Sequence, residues 1–169
     1  TLTNDGTLSL QISVGPYLNL NRHDGVGVTE GVIVYDSTGT NRLYGALQGQ
    51  NSTVTHVVNG LGAGSYTVRL TAIGYFPGLG WGNYTMTTSE TPDPLPNDAE
   101  PNDDFDHALS AALDSEVVGH LGYLGPQSVI EKQDYWQVSL PSDGTLHLDI
   151  ATGTLLNLNR NDSVGASGG

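Results

Sequence analysis

Eight residues near the middle of the chain, Asn97-Asp98-Ala99-Glu100-Pro101-Asn102-Asp103-Asp104, bring together four carboxylates and two carboxamides. They follow directly on Thr91-Pro92-Asp93-Pro94-Leu95-Pro96. Oxygen donors alone suit a hard cation, and Ca²⁺ takes six to eight of them at flexible geometry. Pro101 biases Glu100 towards an extended conformation. Side chains alternate along an extended segment, so Asp98, Glu100 and Asn102 are expected to point to one side. That arrangement is half a cage, in need of ligands from elsewhere in the chain. The competing reading is a solvated acidic connector, and no helix-loop-helix calcium pattern decides between them.

Other residues that could carry chemistry are less organised. The five histidines, His23, His56, His107, His120 and His147, are not paired at metal-ligand spacing and sit in no zinc-protease motif. There is no nucleophile-elbow motif and no phosphate-loop lysine, so a non-catalytic role is expected. Tyr75, Phe76, Trp81 and Tyr84 cluster in and after the glycine-rich stretch Gly74 to Gly82. They would suit a ligand platform, but filling one end of a core is the favoured reading. Arg22 with Asp24, echoed by Arg160 with Asp162, forms either a recognition pair or a turn pin worth at most about 1 kcal/mol. The sequons at Asn51, Asn83 and Asn161 permit N-glycosylation in a competent host.

Composition bounds what these residues can serve. The 169 residues carry 5 basic against 18 acidic side chains, a net charge of −13. Phosphate neutralisation needs a basic surface, so nucleic acid is not an expected partner. An anionic membrane surface is disfavoured for the same reason, and no apolar run reaches membrane-spanning length. Cations are the natural counter-charge. With no cysteine there are no disulfides and no thiolate metal ligands. The sequence opens at Thr1 with no signal peptide, as expected of a mature or excised segment.

The elements that must position the acidic run are short, alternating strands. Asp5-Gly6 starts one, and Leu8, Leu10 and Ile12 share its buried face. Gly31 to Tyr35 forms a strand that runs into the turn Asp36-Ser37-Thr38-Gly39. Thr53 to Val58 is a strand with Asn59-Gly60 as its exit turn. Ser65 to Ala72 places Tyr66, Val68, Leu70 and Ala72 on one face, and Tyr84 and Met86 alternate in a closing strand. Phe105, Ala108, Leu109 and Ala112 are spaced for a short helical turn. Val117-Val118 and Trp136, Val138, Leu140 supply two further strands. With 23 glycines and turn signals between strands, the fold class expected is an all-β antiparallel sandwich.

One phrase occurs twice. Asn4-Asp5-Gly6-Thr7-Leu8-Ser9-Leu10-Gln11-Ile12 returns as Ser142-Asp143-Gly144-Thr145-Leu146-His147-Leu148-Asp149-Ile150. The offset is 142 minus 4, or 138, and residues 4–31 match their counterparts at 16 of 28 positions. A period that long implies one whole domain per repeat and not a solenoid. The chain is therefore expected to comprise the later strands of one copy at 1–90, a Pro-rich linker at 91–97, and the early strands of the next copy at 98–169.

Three groups of residues carry a family resemblance. They are Glu100-Pro101-Asn102-Asp103-Asp104, then Gln133-Asp134-Tyr135-Trp136, then Leu140-Pro141-Ser142-Asp143-Gly144-Thr145-Leu146. This series resembles the bacterial pre-peptidase C-terminal (PPC) domain. The rest of that pattern falls in Val34 to Gly39, Leu61 to Val68 and Gly82 to Met86, in permuted order, as the repeat requires. The resemblance implies a secreted, jelly-roll-like β-sandwich without catalytic activity. It also implies calcium binding like that of the collagen-binding domains of clostridial collagenases. Carried over by position, the linker ligands are Asp98, Glu100, Asn102 and Asp103, and the loop ligands are Glu131 and Asp134.

Two functions follow as expectations. The first is a calcium-braced repeat of an extracellular adhesin or fibre, whose partners are neighbouring copies of itself, joined head to tail by strand complementation. Half-domains expose pairing edges, which is what such joining needs. The second is an accessory domain that directs a secreted hydrolase to an extracellular protein or glycan polymer.

Overall fold

The computed structural model describes residues 1–20, 30–72 and 82–153. Among them are eight strands and no helix, and so no helix long and apolar enough to cross a membrane. The strands are β1 (Gly6–Val14), β2 (Val32–Tyr35), β3 (Arg42–Ala46), β4 (Ser52–Leu61), β5 (Thr67–Leu70), β6 (Tyr84–Pro92), β7 (Leu109–Ala111) and β8 (Trp136–Val138). Two antiparallel three-stranded sheets, ordered β4-β1-β6 and β3-β2-β5, contribute to one core, as in a β-sandwich. A third sheet is the pair β7-β8, and it is parallel where an antiparallel arrangement was expected.

The core follows from the period of two in β1. Leu8, Leu10, Ile12 and Val14 are all buried, and they meet Val32 and Val34 of the facing sheet together with Val58 and Leu61 of β4. Tyr66, Val68 and Leu70 pack against this cluster from the β5 side. One buried polar chain is fully satisfied here: Tyr44 Oη lies 3.0 Å from His56 Nδ1, His56 Nε2 lies 3.0 Å from Gln48 Oε1, and Gln48 Nε2 donates to the carbonyl of Ile12 at 2.7 Å. Burial holds the His56 imidazole below its ordinary pKa, which keeps the ring neutral between these two partners.

The sandwich is closed on one side only. The residues of β6 opposite Val14, Ile12, Leu10 and Leu8 are Tyr84, Met86, Thr88 and Glu90, so these share the core-facing side of the sheet. Yet Tyr84 is 51% and Met86 40% exposed. Among the described residues the facing sheet has a strand in contact with β4, through β3, and none in contact with β6.

Several expectations are corrected. Asn59-Gly60 does not end β4 but lies inside it. Gly6 pairs with Leu61 and Leu8 with Val58, so two residues of β4 oppose the single Thr7. Gly60, at φ +67°, makes this a bulge that requires a left-handed residue. The helical turn expected around residues 104–113 is replaced by a turn and then β7. Asp104 Oδ1 accepts from the backbone N–H of Asp106 and His107, at 3.0 Å each, and Phe105 is turned out to 86% exposure. Val117-Val118 is not a strand, and β6 runs through residue 90 into the Pro-rich stretch, ending at Pro92. Gly144–Ile150, the counterpart of β1, is also not a strand: Leu146, Leu148 and Ile150 are 41%, 68% and 73% exposed. Tyr75, Phe76, Trp81, Arg22, His23, Asp24, Arg160, Asn161 and Asp162 lie outside the described residues.

Candidate metal centre

The acidic segment is anchored at both ends before any carboxylate is considered. Asn97 Oδ1 accepts from the backbone N–H of His120 at 2.8 Å, and the carbonyl of Asn102 accepts from Tyr135 N–H at 2.9 Å. The second bond sets residues 98–102 beside the loop that carries Glu131 and Asp134. Tyr135 then accepts from Leu109 N–H at 2.9 Å, so β7 and β8 start from the same fixed point.

Between these anchors four carboxylates converge. Asp98, Glu100, Glu131 and Asp134 each present an oxygen within 4.8 Å of all the others. A Ca²⁺ shell has a radius of about 2.4 Å, so oxygens on opposite sides of one ion stand at about this separation. Asn102 adjoins the cluster. It is 0% exposed, its Nδ2 donates to Asp98 Oδ2 at 2.5 Å, and its Oδ1 is buried with no hydrogen-bond partner. Asp98 Oδ1, Glu131 Oε1 and Asp134 Oδ1 are likewise buried without partners. Buried acceptors are ordinarily paired, and orphaned oxygens on three converging carboxylates amount to a demand for a shared positive charge. The cluster could hold a metal ion, and its all-oxygen character selects a hard cation over a soft one.

The electrostatics agree with the geometry. Burial, followed by the charges of Glu100 and Asp134, pushes the Glu131 carboxyl up to about 9. Burial and the charge of Asp98 push Asp134 up to about 6. Asp98 is raised chiefly by burial. Without a cation, the site retains protons to limit its own repulsion.

Five of the six residues expected as ligands are thus brought together: Asp98, Glu100, Asn102, Glu131 and Asp134. Asp103 is exposed and outside the converging group, although its charge helps to raise Asp134. Two contributors were not read from the sequence. A Cβ on Gly119 would come within 3.0 Å of Asp134 Oδ2 and of Asp98 Cγ and Oδ2, so the backbone there forms a wall of the cage. His120, 6% exposed, ties the cage to the sandwich: Nδ1 lies 2.9 Å from Asp5 Oδ2 and Nε2 2.8 Å from the carbonyl of Leu95. Tyr123 stacks on its ring at 4.7 Å and donates a hydrogen bond to Asp93. A glycine and a lone histidine have no local signature for such roles.

A second tether joins the loop ahead of Glu131 to the sandwich. Leu124 exchanges backbone bonds with Gly60 and Gly62, and Ser128 Oγ donates to Asp36 Oδ2 at 2.8 Å. No protein-family model, no curated protein and no solved structure matches the chain.

Proposed function

We propose that this chain is a non-catalytic, calcium-stabilised β-sandwich segment of jelly-roll type, spanning parts of two successive copies in a tandem array of an extracellular adhesin or fibre. The observation that carries the reading is the cage itself: four converging carboxylates from two separate segments, beside the fully buried Asn102, whose Nδ2 donates to Asp98 and whose Oδ1 is orphaned. A cation there clamps residues 98–102 to residues 131–134, so its binding free energy becomes folding free energy. It also relieves repulsion in a chain of net charge −13. Millimolar calcium is an extracellular condition, and weak oxygen cages of this kind fill there. The resemblance to PPC domains and the 138-residue repeat support the module and its arrangement in series. The test is a pair of thermal melts, in chelator and in calcium, with isothermal titration calorimetry on the chelated protein. One bound Ca²⁺ and a higher melting temperature are expected. Superimposable melts with no binding heat would refute the reading.

A further inference from the structure

The open side of the sandwich has a defined shape. A groove of about 290 Å³ runs between β5 and β6, lined by Leu2, Leu8, Leu10, Tyr66, Val68 and Glu90 among others. Along it, β5 pairs with β2 on one edge, and among the described residues no strand pairs with the other. The register for that edge is set just ahead of β5, where the β1–β4 pairing is prolonged beyond Leu61. Leu2 and Gly64 exchange two backbone hydrogen bonds, of 2.7 and 3.0 Å, as an antiparallel bridge next to β5. A strand that continues this ladder would run antiparallel along β5 and roof the groove.

The repeat says which residues belong there. Leu2 is matched by Leu140, and the strand that leads into Leu140 is β8. The antiparallel register that pairs position 2 with Gly64 sets Val138 beside Tyr66, Gln137 beside Thr67 and Trp136 beside Val68. Trp136 and Val138 then share the core-facing side with Leu140, as strand alternation demands. Among the described residues of its own chain, β8 pairs only with β7 and contacts no strand of the sandwich. A parallel pair of three-residue strands is below the size that sustains itself, so β8 has an edge to give.

We infer that β8 of one copy of this chain adds to the free edge of β5 in a second copy, in the register Trp136–Val68, Gln137–Thr67, Val138–Tyr66. The donor's Ser139 and Leu140 fall where Thr1 and Leu2 lie, so its Gly144–Ile150 takes over the position of β1 between β4 and β6. Leu146, Leu148 and Ile150 replace Leu8, Leu10 and Ile12. In apolar burial that exchange brings no gain, because covering Leu146, Leu148 and Ile150 uncovers the acceptor's Leu8, Leu10 and Ile12. The net gain comes from Trp136 and Val138 filling the groove and from the ladder on β5. With β7 alongside, the acceptor sheet grows to the order β7-β8-β5-β2-β3. The inference deepens the repeat-module reading by naming its partner surface.

Cysteine trapping tests it cleanly, because the chain has no cysteine of its own. Thr67→Cys and Gln137→Cys are single variants at exposed positions, and facing residues of an antiparallel pair lie within disulfide reach. Mixed under mild oxidation in calcium, the two variants are expected to yield a disulfide-linked heterodimer on non-reducing gels. The double variant Thr67→Cys/Gln137→Cys is expected to give a ladder of multimers. A monomeric, internally bridged double variant would overturn the inference by showing that the chain's own β8 fills the groove. Absence of any bridge, with both variants folded by circular dichroism, would overturn it too. The same mixture in chelator separates the two readings: cross-linking without a calcium-dependent melt removes the cation and leaves the strand exchange.

Discussion

Replacing Glu131 by glutamine should move stability in opposite directions with and without calcium, and only a cation cage predicts that reversal. In the cation-free protein Glu131 is held protonated near pH 7 by burial and by Glu100 and Asp134. The gap between pH 7 and its ordinary value of 4.5 sets a ceiling of about 3 kcal/mol for the cost of keeping it there. Glu131 is only half-buried, and solvent screening reduces this to about 1–1.5 kcal/mol. Glutamine fills the same volume with no charge to suppress, so the chelated variant should melt about 2–6 °C higher than the parent. In calcium at one hundred times the dissociation constant, the parent gains about 2.7 kcal/mol, or about 5–10 °C. A variant that binds tenfold more weakly keeps about half of that gain, which with its advantage in chelator only brings it level with the parent. One that binds a hundredfold more weakly keeps about 0.4 kcal/mol and falls below the parent, which is the reversal. Differential scanning calorimetry at pH 7 on both proteins, in chelator and in calcium, reads all four numbers. A variant that is less stable in chelator, or one that gains as much from calcium as the parent, would refute the reasoning.

Two further outcomes follow from the same cage. Gly119→Ala sets a methyl group against Asp98 and Asp134 at 3.0 Å, so calcium affinity should fall about tenfold or more while the chelated fold persists; titration calorimetry measures the first and circular dichroism the second. Calcium binding should also release protons, because Glu131 and Asp134, raised to about 9 and about 6, must ionise to coordinate. Both folded values lie above the ordinary ones, so the folded, cation-free protein holds extra protons, and this part of its stability is lost as pH rises through 6 towards 9. Affinity for calcium runs the other way and weakens on acidification; calorimetry in two buffers of different ionisation enthalpy counts the protons, and a count of zero at pH 7 would contradict the assignment.

The parts of this structure that were legible in the sequence are those set by a side chain's own neighbours along the chain. Leu8, Leu10 and Ile12 alternate, and β1 buries them. Asp98, Glu100 and Asn102 are expected on one side of the chain, and all three reach the same place, although the chain bends at Glu100 and is not extended through it. Position across space was not legible in the same way. Asn59-Gly60 carries the signature of a turn because a hairpin turn and a bulge both ask for a left-handed glycine, and only the partner strand tells them apart. Phe105, Ala108, Leu109 and Ala112 share a helical spacing, but an Asx turn at Asp104 breaks the run and Phe105 faces out. Glu131 and Asp134 were expected from the family resemblance alone. Gly119 and His120 act through contacts to residues 98, 134, 5 and 95, which spacing does not reveal.

Gly144–Ile150 shows most clearly where sequence pattern stops deciding structure. It repeats the alternation of β1 almost residue for residue, yet β1 is the central strand of a sheet and its counterpart is no strand at all. Alternation fixes which face a strand buries; it does not supply the two edges the strand must bond to, and an unpaired strand has no ladder to hold it. In this chain β4 and β6 are the only pair of edges that accept that pattern among the described residues, and β1 occupies them. The cage is placed to govern the competition. Asp134 stands two residues before Trp136, and Asn102 bonds to Tyr135 between them. A cation that draws Asp134 towards Asp98 therefore fixes the point from which β8 departs. Ordering three residues costs roughly 3–6 kcal/mol in backbone entropy alone, more than a parallel three-residue pair returns. In the strand exchange proposed here, an ion that supplied part of that cost would present β8 with its outer edge free, so calcium would act first on the donor strand and only through it on the assembly.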